Sequence, residues 1–167
     1  MNRLGRFALI TVLLLACVGC DQVSKSLVRE HIALGDSQSY LADTFRLTHA
    51  ENPGAFLSLG ASLPDAARVA VFRVGVSLIV IGLLGFAMFA ALDTWAVAGF
   101  ALLAASGIGN LIDRWTHDGV VTDFLNLGVG SVRTGIFNVA DMVGVAGMLV
   151  LLCTQFGSAQ ANRMRRG

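Results

Sequence analysis

Long apolar runs without a charged residue constrain this chain more strongly than any other feature of its sequence. Residues 74–92 form one such run, and residues 95–112 form another. Each run is close to the ~20 residues that a helix needs to cross the hydrocarbon core of a bilayer. Only 14% of the 167 residues are charged, whereas about 25% are charged in a typical soluble domain. The sequence therefore predicts an all-α polytopic membrane protein.

Four segments have the composition of membrane helices. We place them at about residues 7–28, 67–92, 95–112 and 135–156, within a single membrane domain that comprises residues 1–167. Small residues allow membrane helices to approach closely, which predicts a compact bundle. The glycines in these segments include Gly82, Gly85, Gly99, Gly107, Gly109, Gly144 and Gly147.

The positions of the arginines predict the orientation in the membrane. Arg3 and Arg6 precede the first predicted helix, and three arginines follow the fourth, namely Arg163, Arg165 and Arg166. Because positive residues collect on the cytoplasmic side, we expect both termini there. The segments 29–66 and 113–134 then lie on the outer side. In the first of them, residues 39–49 predict short strands, because they mix aromatic and β-branched side chains.

The first apolar segment has a second interpretation. Basic residues followed by an apolar stretch and Cys17 or Cys20 are also typical of a lipoprotein signal peptide. The three further apolar segments favour a retained helix instead, because lipoproteins are usually soluble apart from their lipid anchor. Cys17, Cys20 and Cys153 all lie within apolar runs, so we interpret them as small buried residues rather than as disulfide or zinc ligands.

Polar residues within or beside apolar helices are the candidates for function, because a charge at bilayer depth costs roughly 2.5–3.5 kcal/mol. Asp21 and Lys25 are four residues apart, so they can form a salt bridge at the end of the first helix or contribute to substrate binding. Asn110, Asp113 and Arg114 share one face at the end of the third helix. Arg114 can hold Asp113 there, or bind a substrate carbonyl or phosphate.

Two further polar clusters lie near the predicted outer boundary of the membrane. Asn52 and Gly54 belong to a predicted turn, where they can also contact a peptide backbone. Asp123 taken alone fits a turn or a helix N-cap. Asn138 and Asp141 face the same way on the fourth helix, and a carboxylate inside a span is a functional candidate.

Asp123 and Asp141 flank the same membrane boundary and are separated by a short segment, so they can converge. Two carboxylates close together share a proton, because both cannot ionise easily. One of them can then activate water as a general base while the other, protonated, polarises a carbonyl. No metal or cofactor is needed for this chemistry. The net charge of +1 implies no nucleic-acid partner.

Five motifs occur in order along the chain, and together they resemble those of lipoprotein signal peptidase, the signal peptidase II family. The motifs are Asp21-Gln22-Val23-Ser24-Lys25, Asn52-Pro53-Gly54-Ala55, Gly109-Asn110-Leu111-Ile112-Asp113-Arg114, Val121-Thr122-Asp123-Phe124 and Phe137-Asn138-Val139-Ala140-Asp141. Each motif is weak alone, but the ordered set is specific. The resemblance covers residues 21–141.

This resemblance implies four transmembrane helices, both termini in the cytoplasm, and a small periplasmic β-rich cradle between helices 1 and 2. It implies a globomycin-sensitive aspartyl endopeptidase of the bacterial inner membrane that cleaves prolipoproteins before their diacylglyceryl-modified cysteine. We expect a monomer that contacts membrane lipids and uses no cofactor. The implied catalytic residues are Asp123 and Asp141, and the implied supporting and substrate-contacting residues are Asp21, Lys25, Asn52, Gly54, Asn110, Asp113, Arg114 and Asn138.

The chain departs from the family pattern in the outer loop. The usual Asn-Thr-Gly-Ala-Ala-Phe stretch reads Asn52-Pro53-Gly54-Ala55-Phe56-Leu57 here, one alanine short, and Ser106 interrupts the usual glycine-rich approach to Gly109. These changes affect the expected substrate preference rather than the two aspartates.

Two other functions fit the residues less well: a proton-coupled transporter that uses Asp141 and Arg114, and a non-catalytic membrane scaffold.

Overall fold

The structure is a computed structural model that describes residues 1–54 and 59–164, with side chains described up to residue 155. The described helices are α1 (Arg3–His31), α2 (Asp65–Arg68), α3 (Val76–Phe89), α4 (Thr94–Thr116) and α5 (Val139–Met164), and a π-helical segment, Val69–Gly75, joins α2 to α3. The described strands are β1 (Ser37–Tyr40), β2 (Phe45–Asn52), β3 (Val121–Val129) and β4 (Val132–Arg133).

Three helical segments of the described chain are long and apolar enough to span a membrane: Arg3–His31, Asp65–Phe89 and Thr94–Thr116. They correspond to the first three predicted spans. In α5 the side chains are described only over Val139–Gln155, too short a stretch for this criterion, so the count of four spans stays a prediction. Arg165 and Arg166, used above to orient the chain, lie outside the described residues.

Capping groups explain where the helices depart from their predicted ends. The second span ends at Phe89 rather than at residue 92, because the Arg6 guanidinium binds the carbonyl oxygens of Ala90 and Leu92. The next helix begins at Thr94, where the Asp93 carboxylate accepts a hydrogen bond from the Ala96 amide at 2.8 Å. The last helix begins at Val139 rather than at residue 135, since Asn138 caps it.

Helix α4 lies at the centre of the bundle and packs against α1, α3 and α5. Its small residues are largely buried, and Ala101 and Ala104 have no exposed surface. The α4–α5 contact is close because glycines face each other: a Cβ added at Gly147 would lie 2.9 Å from the Gly99 carbonyl oxygen. Gly144 likewise faces Ser106. The predicted use of small residues is therefore confirmed for this helix pair.

Large apolar side chains cover the outside of the bundle. Leu15 is 72% exposed and Ile81 is 66% exposed, which suits a surface in contact with lipid rather than with water. Two of the three cysteines, Cys20 and Cys153, are exposed on this surface. The prediction that they are buried is wrong, because an apolar residue of a membrane helix is as stable against lipid as against protein.

The four strands form one antiparallel sheet in the order β1-β2-β3-β4. Strands β1 and β2 confirm the strands predicted at 39–49. Strands β3 and β4, however, follow α4, so the β-rich cradle is not confined to the segment between helices 1 and 2. Strand β3 was not predicted because residues 121–124 are all buried, and no alternation of polar and apolar side chains marks it. Asp123 thus lies on a strand rather than in a turn.

We predict that Gly147→Ala destabilises the protein, because the added Cβ would meet backbone atoms of α4 at 2.9–3.0 Å. Overpacking of this kind costs about 1–3 kcal/mol, and thermal unfolding in detergent micelles measures it. Gly82→Ala is the matched control, since a Cβ at Gly82 meets nothing within 4 Å. Equal melting temperatures for the two variants would contradict the close α4–α5 contact.

Candidate active site

A buried lysine joins two aspartates between α1 and α4. The Lys25 Nζ lies 2.9 Å from Asp21 Oδ2 and 3.1 Å from Asp113 Oδ2, and all three side chains are at most 1% exposed. The third Nζ contact is a hydrogen bond of 3.0 Å to Asn110 Oδ1. The predicted Asp21–Lys25 pair is thus present. The predicted alternative that Arg114 holds Asp113 is wrong, because Asp113 lies against Lys25.

The two carboxylates of this cluster also bind the backbone of the elements that carry the candidate catalytic residues. Asp21 Oδ1 accepts a hydrogen bond of 2.8 Å from the Ala140 amide in the first turn of α5. Asp113 Oδ2 accepts one of 3.0 Å from the Thr122 amide on β3. Each amide directly precedes a candidate catalytic aspartate. Gly109 is required here, since a Cβ would lie 2.7 Å from Asp21 Oδ2.

Asp141 is held by a capping box at the start of α5. The Asn138 Oδ1 accepts a hydrogen bond from the Asp141 amide at 3.0 Å, and Asp141 Oδ2 accepts one from the Asn138 amide at 3.1 Å. The other carboxylate oxygen accepts from Asn110 Nδ2 at 3.1 Å. Asp141 thus lies in the first turn of α5, at the positive end of the helix dipole.

Asp123 projects from β3 and is 4% exposed. Its Oδ1 accepts a hydrogen bond of 2.6 Å from Asn138 Nδ2, and its Oδ2 accepts one of 2.9 Å from Asn52 Nδ2 at the end of β2. Asn138 therefore contacts both aspartates, through its side chain on one and through its backbone on the other. This shared contact brings the two predicted catalytic residues together, as the sequence analysis expected.

The ammonium of Lys25 determines which way the Asn110 amide points. An ammonium can only donate hydrogen bonds, so the Asn110 oxygen faces Lys25 and its nitrogen faces Asp141. The same oxygen also accepts from Asn138 Nδ2 at 3.1 Å. A chain of oriented donors thus runs from the buried ion cluster to the Asp141 carboxylate.

Burial raises the pKa of Asp123 from 3.8 to about 6. The hydrogen bond from Asn52 opposes this shift, and the neighbouring charge of Asp141 adds to it. Because the folded protein binds the Asp123 proton more tightly than the unfolded chain does, the Asp123 contribution to stability falls as the pH rises from 3.8 to about 6. Asp123 therefore stays protonated at a pH where an ordinary aspartate is ionised.

Both aspartates line one cavity of about 180 Å³. Its polar wall includes Asn52, Asn110, Arg114 and Asn138, and its apolar wall includes Phe72, Val76, Val121 and Ile136. The Arg114 guanidinium donates a hydrogen bond of 2.6 Å to the Gly54 carbonyl oxygen and lies 5.4 Å from the centre of the Phe72 ring. A polar cavity of this size can hold water beside the two carboxyl groups.

The predicted supporting residues divide into two groups. Asn52, Asn110, Arg114 and Asn138 line the cavity, and Gly54 contacts it through Arg114. The second group is buried and does not line the cavity, so its members affect the cavity only through the residues that they bind. These are Asp21, Lys25 and Asp113. Ala55, Phe56 and Leu57, which carry the departure from the family pattern, lie outside the described residues.

The sequence analysis gave no role to two residues of this region, although Gln22 belongs to the first of the five motifs. Gln22 donates hydrogen bonds to both buried carboxylates, at 3.0 Å to Asp21 Oδ2 and 3.2 Å to Asp113 Oδ1. Its place inside an apolar helix next to Asp21 is a signal that could have identified it. Phe72 lines the cavity, but nothing in the sequence distinguishes it from the other apolar residues of its helix.

Comparison with known proteins identifies similar chains over most of the length. A family model described as signal peptidase (SPase) II matches residues 13–157. A lipoprotein signal peptidase of Streptococcus pneumoniae is 34% identical over 146 residues, which are 87% of this chain and 90% of that protein. One of Desulforapulum autotrophicum is 34% identical over 153 residues, 90% of this chain and 91% of that protein.

A solved structure shares the fold. A bacterial membrane enzyme determined by the in meso method superposes with a TM-score of 0.78 at 24% identity, over 90% of this chain and 88% of its own. The family model and the relatives confirm the resemblance inferred from the five sequence motifs, and the solved structure shows that the fold is shared.

We predict that Lys25→Met lowers the free energy of unfolding by about 3–5 kcal/mol, because the Asp21 and Asp113 carboxylates would stay buried without their cation. Unfolding in detergent micelles measures the change. Arg68→Met is the control, since its ion pair with Asp65 is solvent-exposed and should contribute at most about 1 kcal/mol. A loss as small as that of the control would contradict the role assigned to the buried cluster.

We further predict that Asn52→Ala raises the pKa of Asp123 above its value of about 6, because the Asn52 hydrogen bond favours the charged carboxylate. A pH titration of the Asp123 carboxyl carbon by ¹³C NMR measures the shift. Asn126→Ala serves as the control, since Asn126 lies on the same strand but donates to the Thr134 carbonyl. An unchanged or lowered Asp123 pKa in Asn52→Ala would refute the prediction.

Proposed function

We propose that this chain, which belongs to the signal peptidase II family, is an aspartyl endopeptidase that uses Asp123 and Asp141 to remove signal peptides from prolipoproteins. The observation that carries the proposal is the shared cavity of the two aspartates, with Asn138 bound to both. Two carboxyl groups in different environments are suited to acid and base roles in one reaction.

The two environments support a division of roles. Asp123 has a raised pKa because of its burial, so we assign it the protonated role, in which it donates a hydrogen bond to the scissile carbonyl. Asp141 lies at a helix N-terminus and accepts hydrogen bonds from an amide side chain and a backbone amide. We assign Asp141 the complementary role of general base.

The reaction then proceeds in two steps. Asp141 takes a proton from a water, whose oxygen attacks the carbonyl carbon, while Asp123 gives its proton to the carbonyl oxygen. The tetrahedral intermediate next breaks its C–N bond, as Asp141 returns its proton to the departing amine and Asp123 recovers its own. Arg114 lines the same cavity, and its positive charge stabilises the negative charge that develops on the carbonyl oxygen.

We assign the substrate and the location from the family. The substrate is a prolipoprotein whose cysteine carries a diacylglyceryl group, and the cleaved bond is on the N-terminal side of that cysteine. The enzyme lies in the bacterial inner membrane as a monomer with both termini in the cytoplasm and the sheet in the periplasm, and globomycin is its expected inhibitor. Residues of the three helices α3, α4 and α5 contribute to the lining of the cavity, and the apolar outer surfaces of these helices suit a substrate that arrives from the lipid phase.

Asp123→Asn and Asp141→Asn should each reduce cleavage of a lipidated precursor by at least about 100-fold, because neither amide can transfer the proton assigned to its carboxyl group. Cleavage in proteoliposomes, followed by gel mobility or mass spectrometry, measures the rate. The control is Asp65→Asn, whose side chain is 89% exposed on α2 and should leave the rate unchanged. Wild-type rates in either active-site variant would refute the dyad.

A further inference from the structure

An apolar groove runs along the outer side of α5, beside the aspartate cavity. It encloses about 460 Å³ and is lined by Thr134–Phe137 at its upper end and by Met142, Val145, Ala146 and Leu149 along the helix. Met142, Val145 and Leu149 are each more than half exposed. The proposed mechanism uses none of these groove residues.

The groove is continuous with the aspartate cavity. Ile136 and Asp141 line both spaces, so a molecule that extends out of the cavity past Asp141 enters the groove directly. From Asp141 to Leu149 the helix rises about 12 Å, at 1.5 Å per residue. This length is close to the ~15 Å of one leaflet of a bilayer whose hydrocarbon core is about 30 Å thick.

The attachment point of the lipid favours one of the two apolar parts of the proposed substrate. The diacylglyceryl group is carried by the cysteine directly after the cleaved bond, so its acyl chains start beside the two aspartates. Apart from Thr134 and Asp141, the residues that line the groove are apolar or glycine. One acyl chain can therefore leave the cavity past Asp141 and lie along the helix.

We propose that this groove holds one acyl chain of the diacylglyceryl group and thereby orients the lipidated cysteine beside Asp123 and Asp141. The inference rests on the proposed function. An acyl chain already lies in hydrocarbon before it binds, so the groove gains little from the hydrophobic effect. It acts instead through close packing and positioning of the reacting bond, which depend on how much of the chain contacts the groove.

Ala146→Phe tests the inference, because it places a large ring in the groove. The substrates are two synthetic precursor peptides with the same sequence, one carrying dipalmitoylglyceryl cysteine and the other dihexanoylglyceryl cysteine. We compare their kcat/KM in proteoliposomes. Ala146→Phe should reduce kcat/KM for the palmitoyl substrate roughly tenfold and leave the hexanoyl substrate within about twofold of wild type.

Met148→Phe is the matched control, because Met148 lies on the same helix, is 51% exposed and does not line the groove. It should change neither substrate. The retained hexanoyl rate also shows that Ala146→Phe has folded. A photoreactive group at the end of the palmitoyl chain should label Met142, Val145 or Leu149 in the wild type.

Three results would overturn the inference. Equal losses for both substrates would mean that the substitution damages the site in general, and no loss for either would mean that only membrane lipid occupies the groove. An effect that follows the length of the signal peptide's apolar stretch, rather than of the acyl chain, would assign the groove to the peptide. A wild-type enzyme that cleaves neither precursor would instead refute the proposed function itself.

Discussion

Lys25 has no exposed surface, and its ammonium lies between the carboxylates of Asp21 and Asp113. Removing these charges from solvent costs several kcal/mol per ion, and only close pairing with fully used hydrogen bonds offsets that cost. Arg29, at 3.7 Å from Asp113, supplies a second positive charge at the edge of the cluster. Since the two carboxylates also bind the backbone of α5 and β3, the positions of both candidate catalytic residues depend on this cluster.

The same cluster helps to give the two aspartates different properties. Lys25 orients the Asn110 amide towards Asp141, which also has the helix N-terminus and the Asn138 amide as partners. Among the described residues, the hydrogen bonds to the Asp123 carboxyl group come from two side-chain amides, and this group lies deeper in the protein. Burial raises the pKa of Asp123, so the two aspartates have different surroundings although they line one cavity.

Much of the fold could be predicted because membrane helices leave a strong signal in the sequence. The apolar runs located three spans to within a few residues, and the remaining errors arose where a tertiary contact ends a helix, as Arg6 does for α3. Strand β3 could not be predicted, because consecutive residues in its first half, 121–124, are all buried and so show no alternation. The candidate site residues could be named from their motifs, and the Asp21–Lys25 pair followed from its spacing. The partner of Asp113 did not, because Arg114 was one candidate for it and Lys25, on another helix, is the residue that binds it.

The sequence by itself determined that this chain enters a membrane and where its helices lie. It also identified the polar residues whose burial in an apolar helix costs enough free energy to indicate a function. It also placed Asp141 among those residues, because a carboxylate within an apolar helix is costly wherever the helix packs. Only the tertiary structure decided that the Asp123 carboxyl group is also buried and therefore costly. Asp123 belongs to a short strand after α4, and it becomes buried when β3 pairs with β2. Pairing two carboxyl groups is a matter of distance, and contacts between residues far apart in the chain, from Asp21 to Ala140 and from Asn52 to Asp123, set that distance.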